Sequence, residues 1–90
     1  MKDLAQCREE INRIDEAMAR LFEERMRVAE QVAAYKKEHG LPVYDAEREK
    51  AVLERNSSFL SAEELKPYYR AFQEKVMEVS RAYQTRQMEE

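Results

Sequence analysis

Ninety residues make a single domain, 1–90. Charged residues are 39% of the chain and glycine occurs once, which argues for helices and against a turn-rich β fold. Net charge is −3 with the signs interspersed, so there is no basic footprint for nucleic acid, and no apolar run is long enough to span a membrane. The lone cysteine, Cys7, cannot form an internal disulfide. It reads as a small core residue in a reduced, cytoplasmic setting, and no signal peptide precedes the first helical run.

The first predicted element is the longest. Asp3 is a candidate N-cap with Gln6 as its capping-box partner, and the helix runs from about 3 to 38. Spacings of three and four select Leu4, Cys7, Ile11, Ile14, Met18, Leu21, Arg25, Val28, Val32 and Tyr35, a heptad seam that packs against another helix. Arg25 is the discordant member: a guanidinium stays charged, so it either reaches out to water or meets an anion. A helix of about 35 residues is roughly 50 Å long, far beyond a compact globule of this size, whose radius of gyration is about 12 Å. A second chain is the simplest cover for the exposed seam, which predicts an obligate oligomer. Gly40 fits the position after the helix end, and Pro42 stops it. His39 in that turn is expected to be a solvated loop residue without a role.

Asp45 is the next N-cap, opening a short helix over about 45–55 with Val52 and Leu53 facing inward. Asn56, Ser57 and Ser58 break it. Ser61-Ala62-Glu63-Glu64 reads as a second capping box, and Pro67 suits the first position of a third helix over about 66–87. Leu65, Tyr69, Phe72, Val76, Val79 and Tyr83 form its apolar stripe. The fold class is all-α: three helices, long, short, long.

Several polar residues lie at or beside these stripes. Arg25 and Lys36 share a face of the first helix within roughly 20° and stand about 16 Å apart along its axis, a gap suited to a small anion with two charged ends. Asp45, Arg48 and Glu49 share a face of the second helix, and Ser80 and Gln84 a face of the third. Each set alone is more often an ordinary surface or a stripe border. Together they combine cations, a carboxylate and neutral hydrogen-bonding groups, with no Cys–His or Ser–His pair, no metal-ligand cluster and no phosphate loop. Such a pocket binds a polar anion and stabilises charge without a nucleophile, metal or cofactor. Arg8 flanks the seam 17 residues before Arg25, about 25 Å away along the helix. One chain cannot bring both to one small ligand, but an antiparallel partner helix can.

In this order and on these helices, the residues resemble the all-helical chorismate mutases of the shikimate pathway. The likeness covers nearly the whole chain: Arg8-Glu9-Glu10-Ile11, Ile14-Asp15, Glu24-Arg25, Lys36, Pro42-Val43-Tyr44-Asp45, Arg48-Glu49, Ser80 and Gln84. The resemblance implies an intertwined homodimer of three-helix chains, with each site completed by Arg8 from the other chain. It implies the pericyclic rearrangement of chorismate to prephenate in phenylalanine and tyrosine biosynthesis. By matched position, Arg25 and the second chain's Arg8 hold the substrate carboxylates with Ser80. Lys36 and Gln84 hydrogen-bond the ether oxygen, and Glu49 accepts from the ring hydroxyl. Asp45 assists through its backbone N–H, and Arg48 borders the pocket.

Two other classes compete with this reading. One is an isochorismate pyruvate-lyase on the same fold, against which Glu49 argues, since a carboxylate suits the hydroxyl position of chorismate. The other is a regulatory or binding domain of the same type within a larger enzyme. A plain coiled coil explains the seam but not Arg25, Lys36 and Gln84 together.

Overall fold

The computed structural model describes residues 1–90 and contains three α-helices and a 3-10 turn, with no strand. Helix α1 spans Leu4–Glu38, α2 spans Ala46–Ser57 and α3 spans Lys66–Glu89, preceded by the 3-10 turn Glu63–Leu65. The all-α, long-short-long order is the one the periodicity predicts.

The helix ends follow from local chemistry. The Asp3 carboxylate accepts from the Gln6 backbone N–H at 2.8 Å, and the Gln6 side chain accepts from the Asp3 N–H at 3.0 Å, a reciprocal capping box. At the other end Gly40 takes φ 65°, a left-handed conformation that glycine adopts without penalty. Leu41 N–H then reaches the Lys36 carbonyl at 2.8 Å and Gly40 N–H the Lys37 carbonyl at 3.4 Å, which satisfies the last orphan acceptors. His39 is exposed in that turn, as expected; its ring also stacks on Tyr35 at 4.0 Å between centroids, and its Nδ1 lies 2.9 Å from the Tyr35 carbonyl. Asp45 caps α2 by accepting from Arg48 N–H at 3.0 Å. The second capping box does not form. Ala62, not Ser61, precedes the 3-10 turn, and no side chain caps it. Pro67 occupies the first turn of α3 one residue later than predicted, where its missing N–H costs nothing.

Helix α3 is the centre of the packing. It runs alongside the C-terminal half of α1 in the same direction, so that Glu30 meets Tyr83, Lys36 meets Gln84, and Lys37 meets the Glu90 carbonyl. Against α2 it runs antiparallel: Glu49 meets Arg81, and Asn56 Nδ2 donates to Gln73 Oε1 at 2.9 Å. Asn56 thus lies inside α2, which runs on to Ser57, and ties the helix to α3 rather than breaking it. Ala29 and Ala33 lie one turn apart on α1 and are buried, and their small side chains let α3 come close. Leu53 and Met77 complete the apolar core. Helix α2 packs on α3 and stays clear of α1.

The core is small. Only 7 of 90 residues are buried, and the molecule measures 55 × 26 × 15 Å with a radius of gyration of 16.3 Å. Much of the α1 seam is uncovered by the rest of the chain: Ile11, Ile14, Leu21 and Val28 are each more than half exposed. The α3 stripe is also turned from its predicted aspect. Gln73, Met77, Ser80 and Gln84 are buried, whereas Leu65 and Phe72 are exposed and Tyr69, Val76, Val79 and Tyr83 are half-buried.

Candidate active site

Because α2 stands off α1 while both bracket α3, a cleft of about 630 Å³ opens between them. One wall is the α1 face carrying Glu24, Arg25, Val28, Val32 and Lys36. The other is α2, through Asp45, Arg48, Glu49 and Val52, and the floor is α3, through Met77, Ser80, Arg81 and Gln84. The volume falls within the range that holds a small organic ligand.

Polar groups of the α1 wall and the floor form a chain. Lys36 Nζ donates to the Val43 carbonyl at 2.8 Å, which fixes the loop after α1, and to Gln84 Oε1 at 3.2 Å. A lysine can only donate, so Gln84 must turn its oxygen towards it. The Gln84 amide nitrogen consequently points at Ser80 and donates to its Oγ at 3.0 Å. Each member keeps one hydrogen in reserve: a third on the Lys36 ammonium, a second on the Gln84 amide, and the Ser80 hydroxyl proton. Ser80 and Gln84 are buried and Lys36 is half-buried, so the donors are held in place before any ligand arrives.

Arg25 is exposed at the rim on the α1 wall and forms no ion pair within the chain. It lines the cleft beside Val28 and Val32 of the seam. Arg48 is likewise exposed on the opposite wall. The Asp45 carboxylate is engaged in capping α2 through Arg48 N–H. Glu49 is half-buried and accepts from Arg81 in an ion pair. Arg81 also lies over the Tyr44 ring, 4.9 Å from its centroid. The hydrogen bond to Glu49 is the main reason that the Arg81 guanidinium is held above its ordinary pKa.

The structure thus gathers seven of the eight candidate residues, Arg25, Lys36, Asp45, Arg48, Glu49, Ser80 and Gln84, around one cleft. The eighth, Arg8, lies on the exposed N-terminal part of α1 and is not among the residues lining the cleft. Arg81 was missed by sequence reasoning. Its spacing from Met77 and Gln84, four and three residues, puts it on the same face and is the signal that could have found it.

Residues 7–85 match the protein family described as chorismate mutase type II. The chain belongs to that family. Three curated relatives match more locally. A bifunctional chorismate mutase/prephenate dehydratase of Aquifex aeolicus is 38% identical over 55 residues, which is 61% of this chain and 15% of the relative. A T-protein of Haemophilus influenzae is 41% identical over 54 residues, 60% of this chain and 14% of the relative. A chorismate mutase of Methanocaldococcus jannaschii is 38% identical over 55 residues, 61% of this chain and 56% of the relative. The matched segment thus spans about half of one relative and about a seventh of the other two. No solved structure gives a significant match. All eight candidate residues lie within the 7–85 family match.

Proposed function

We propose that this member of the chorismate mutase type II family is itself a chorismate mutase, rearranging chorismate to prephenate without cofactor or metal. The observation that carries the reading is the Lys36–Gln84–Ser80 chain, which lines the same cleft as Arg25. An intramolecular rearrangement needs no base and no nucleophile. It needs the enolpyruvyl arm held over the ring, which is catalysis by positioning. It also needs donors aimed at the ether oxygen that gains negative charge as its C–O bond lengthens, and the reserve hydrogens of Lys36 and Gln84 supply them. Arg25 and Ser80 take a substrate carboxylate, Glu49 accepts from the ring hydroxyl, Arg48 borders the pocket, and Asp45 offers its backbone N–H.

The working unit in this reading is a cytoplasmic homodimer whose long helices pair antiparallel. Support comes from the α1 seam, where eight large side chains from Leu4 to Tyr35 are each at least 39% exposed. Covering the exposed part of each contributes roughly 1 kcal/mol or more, enough in sum to hold two chains together. The same pairing brings Arg8 of the partner subunit to the open end of the cleft, beside Arg25, to take the second carboxylate.

The deciding experiment follows the loss of chorismate absorbance and identifies the product. Prephenate is expected. No turnover would reject the reading in favour of a binding domain. Pyruvate with an aromatic acid, formed from isochorismate, would reject it in favour of a lyase.

A further inference from the structure

The cleft must accept a dianion, yet three carboxylates line it: Glu24, Asp45 and Glu49. Asp45 is occupied by the α2 N-terminus, whose backbone N–H groups offset its charge. Glu49 also lies in the first turn of α2, but no backbone N–H of that helix donates to its side chain. It sits half-buried in the middle of the α2 wall, and its one protein donor is Arg81, reaching up from α3. Arg81 is held in turn by the Tyr44 ring, 4.9 Å from its guanidinium carbon, in the loop that leads into α2. The guanidinium is thus fixed from two sides, on a different helix from the carboxylate it serves. One Glu49 oxygen accepts from Arg81, and the lone pairs of the other remain for a ligand.

We propose that Arg81 is a positioning residue for substrate recognition: by pairing with Glu49 it cancels that carboxylate's repulsion of a dianion and aims its second oxygen at the substrate hydroxyl. The inference rests on the mutase reading and deepens it. Without Arg81, a carboxylate facing the dianion repels it before and during reaction alike. The loss therefore falls on binding more than on the chemical step. Without Glu49's charge, Arg81 has nothing to cancel, and its removal costs little.

A double-mutant cycle on steady-state kinetics tests this, using Arg81→Met, Glu49→Gln and both together in the full chain, with Arg81→Lys as the conservative variant. Arg81→Met should raise KM about tenfold or more while kcat changes less than about threefold. In the Glu49→Gln background the same substitution should change KM by less than about twofold, and Arg81→Lys should recover most of the wild-type KM. Thermal melts accompany each variant, and Arg81→Gln replaces Arg81→Met in the cycle if the latter melts below the assay temperature. An equal rise in KM in both backgrounds would overturn the inference, because Arg81 would then touch the substrate directly. Unchanged KM in both would overturn it as well, leaving a surface ion pair. A wild-type chain that fails to turn over chorismate overturns the mutase reading and this inference with it, whereas wild-type turnover without coupling overturns this inference alone.

Discussion

At the scale of single residues, the candidate site is a set of donors whose spare hydrogens are defined by what they already bind. Lys36 spends two on Val43 and Gln84, and Gln84 spends one on Ser80. In the proposed reaction the remaining hydrogens meet an ether oxygen that grows more negative only as the reaction proceeds. Lys36→Ala and Gln84→Ala should therefore lower the single-turnover rate more than substrate affinity, by about a hundredfold or more for the lysine. Equal single-turnover rates in wild type and both variants would remove them from this role. Arg25→Ala should nearly abolish turnover, yet shift the melting temperature little, because Arg25 is exposed and free of ion pairs in the chain. Activity lost only through unfolding in the melt would make Arg25 structural instead. Arg25 was legible in the sequence because a charge interrupts an apolar seam. Arg81 carried only the weaker signal of its helical spacing from Met77 and Gln84, in a helix rich in charge, and its partner lies 32 positions away.

At the scale of elements, α1 and α2 were readable from their caps and spacings, while α3 was read one residue out of phase. Hydropathy picks out Phe72, Val76, Val79 and Tyr83, but the face turned to the other helices is Gln73, Met77, Ser80 and Gln84. The reason is that this face floors the cleft. Three of its four positions are polar, and a polar face is invisible to a search for apolar periodicity. The same rotation places Tyr83 beside α1, where its hydroxyl donates to Glu30, which also accepts from Arg27. The Tyr83 hydrogen bond, then the Arg27 one, holds Glu30 below its ordinary pKa, and the bond to Glu30 raises that of Tyr83. A depressed carboxylate stabilises the fold above the unfolded value of about 4.3 and loses that contribution as pH falls through its own lower pKa. A raised phenol contributes below about pH 10 and loses it as pH rises through its folded pKa. Tyr83→Phe should hence lower the melting temperature near neutral pH, with the difference from wild type shrinking below about pH 4. A difference that stays constant from pH 7 to pH 3 would show that Tyr83 acts through packing alone.

At the scale of the whole molecule, one chain leaves much of its apolar surface uncovered. With 7 of 90 residues buried and a 55 Å long axis, it cannot cover its own seam. Its cleft, in turn, offers a dianion Arg25 but not Arg8. Both deficits have one remedy in the proposed antiparallel pairing of α1, since residues 17 positions apart on one helix are about 25 Å apart, but can lie opposite each other across two. The arrangement has a consequence that no single-chain site shares. Arg8→Ala and Arg25→Ala homodimers should each be inactive, because every site lacks one arginine. In a heterodimer of the two, one site carries both lesions and the other carries neither. Random exchange makes about half of all dimers mixed, each with one of its two sites intact, so about a quarter of wild-type activity should return on mixing. Exchange is verified by mass spectrometry of the intact dimers before the assay. If mixed dimers are present and activity stays at the level of the separate variants, each cleft works with its own chain's residues, and Arg8 does not cross between chains.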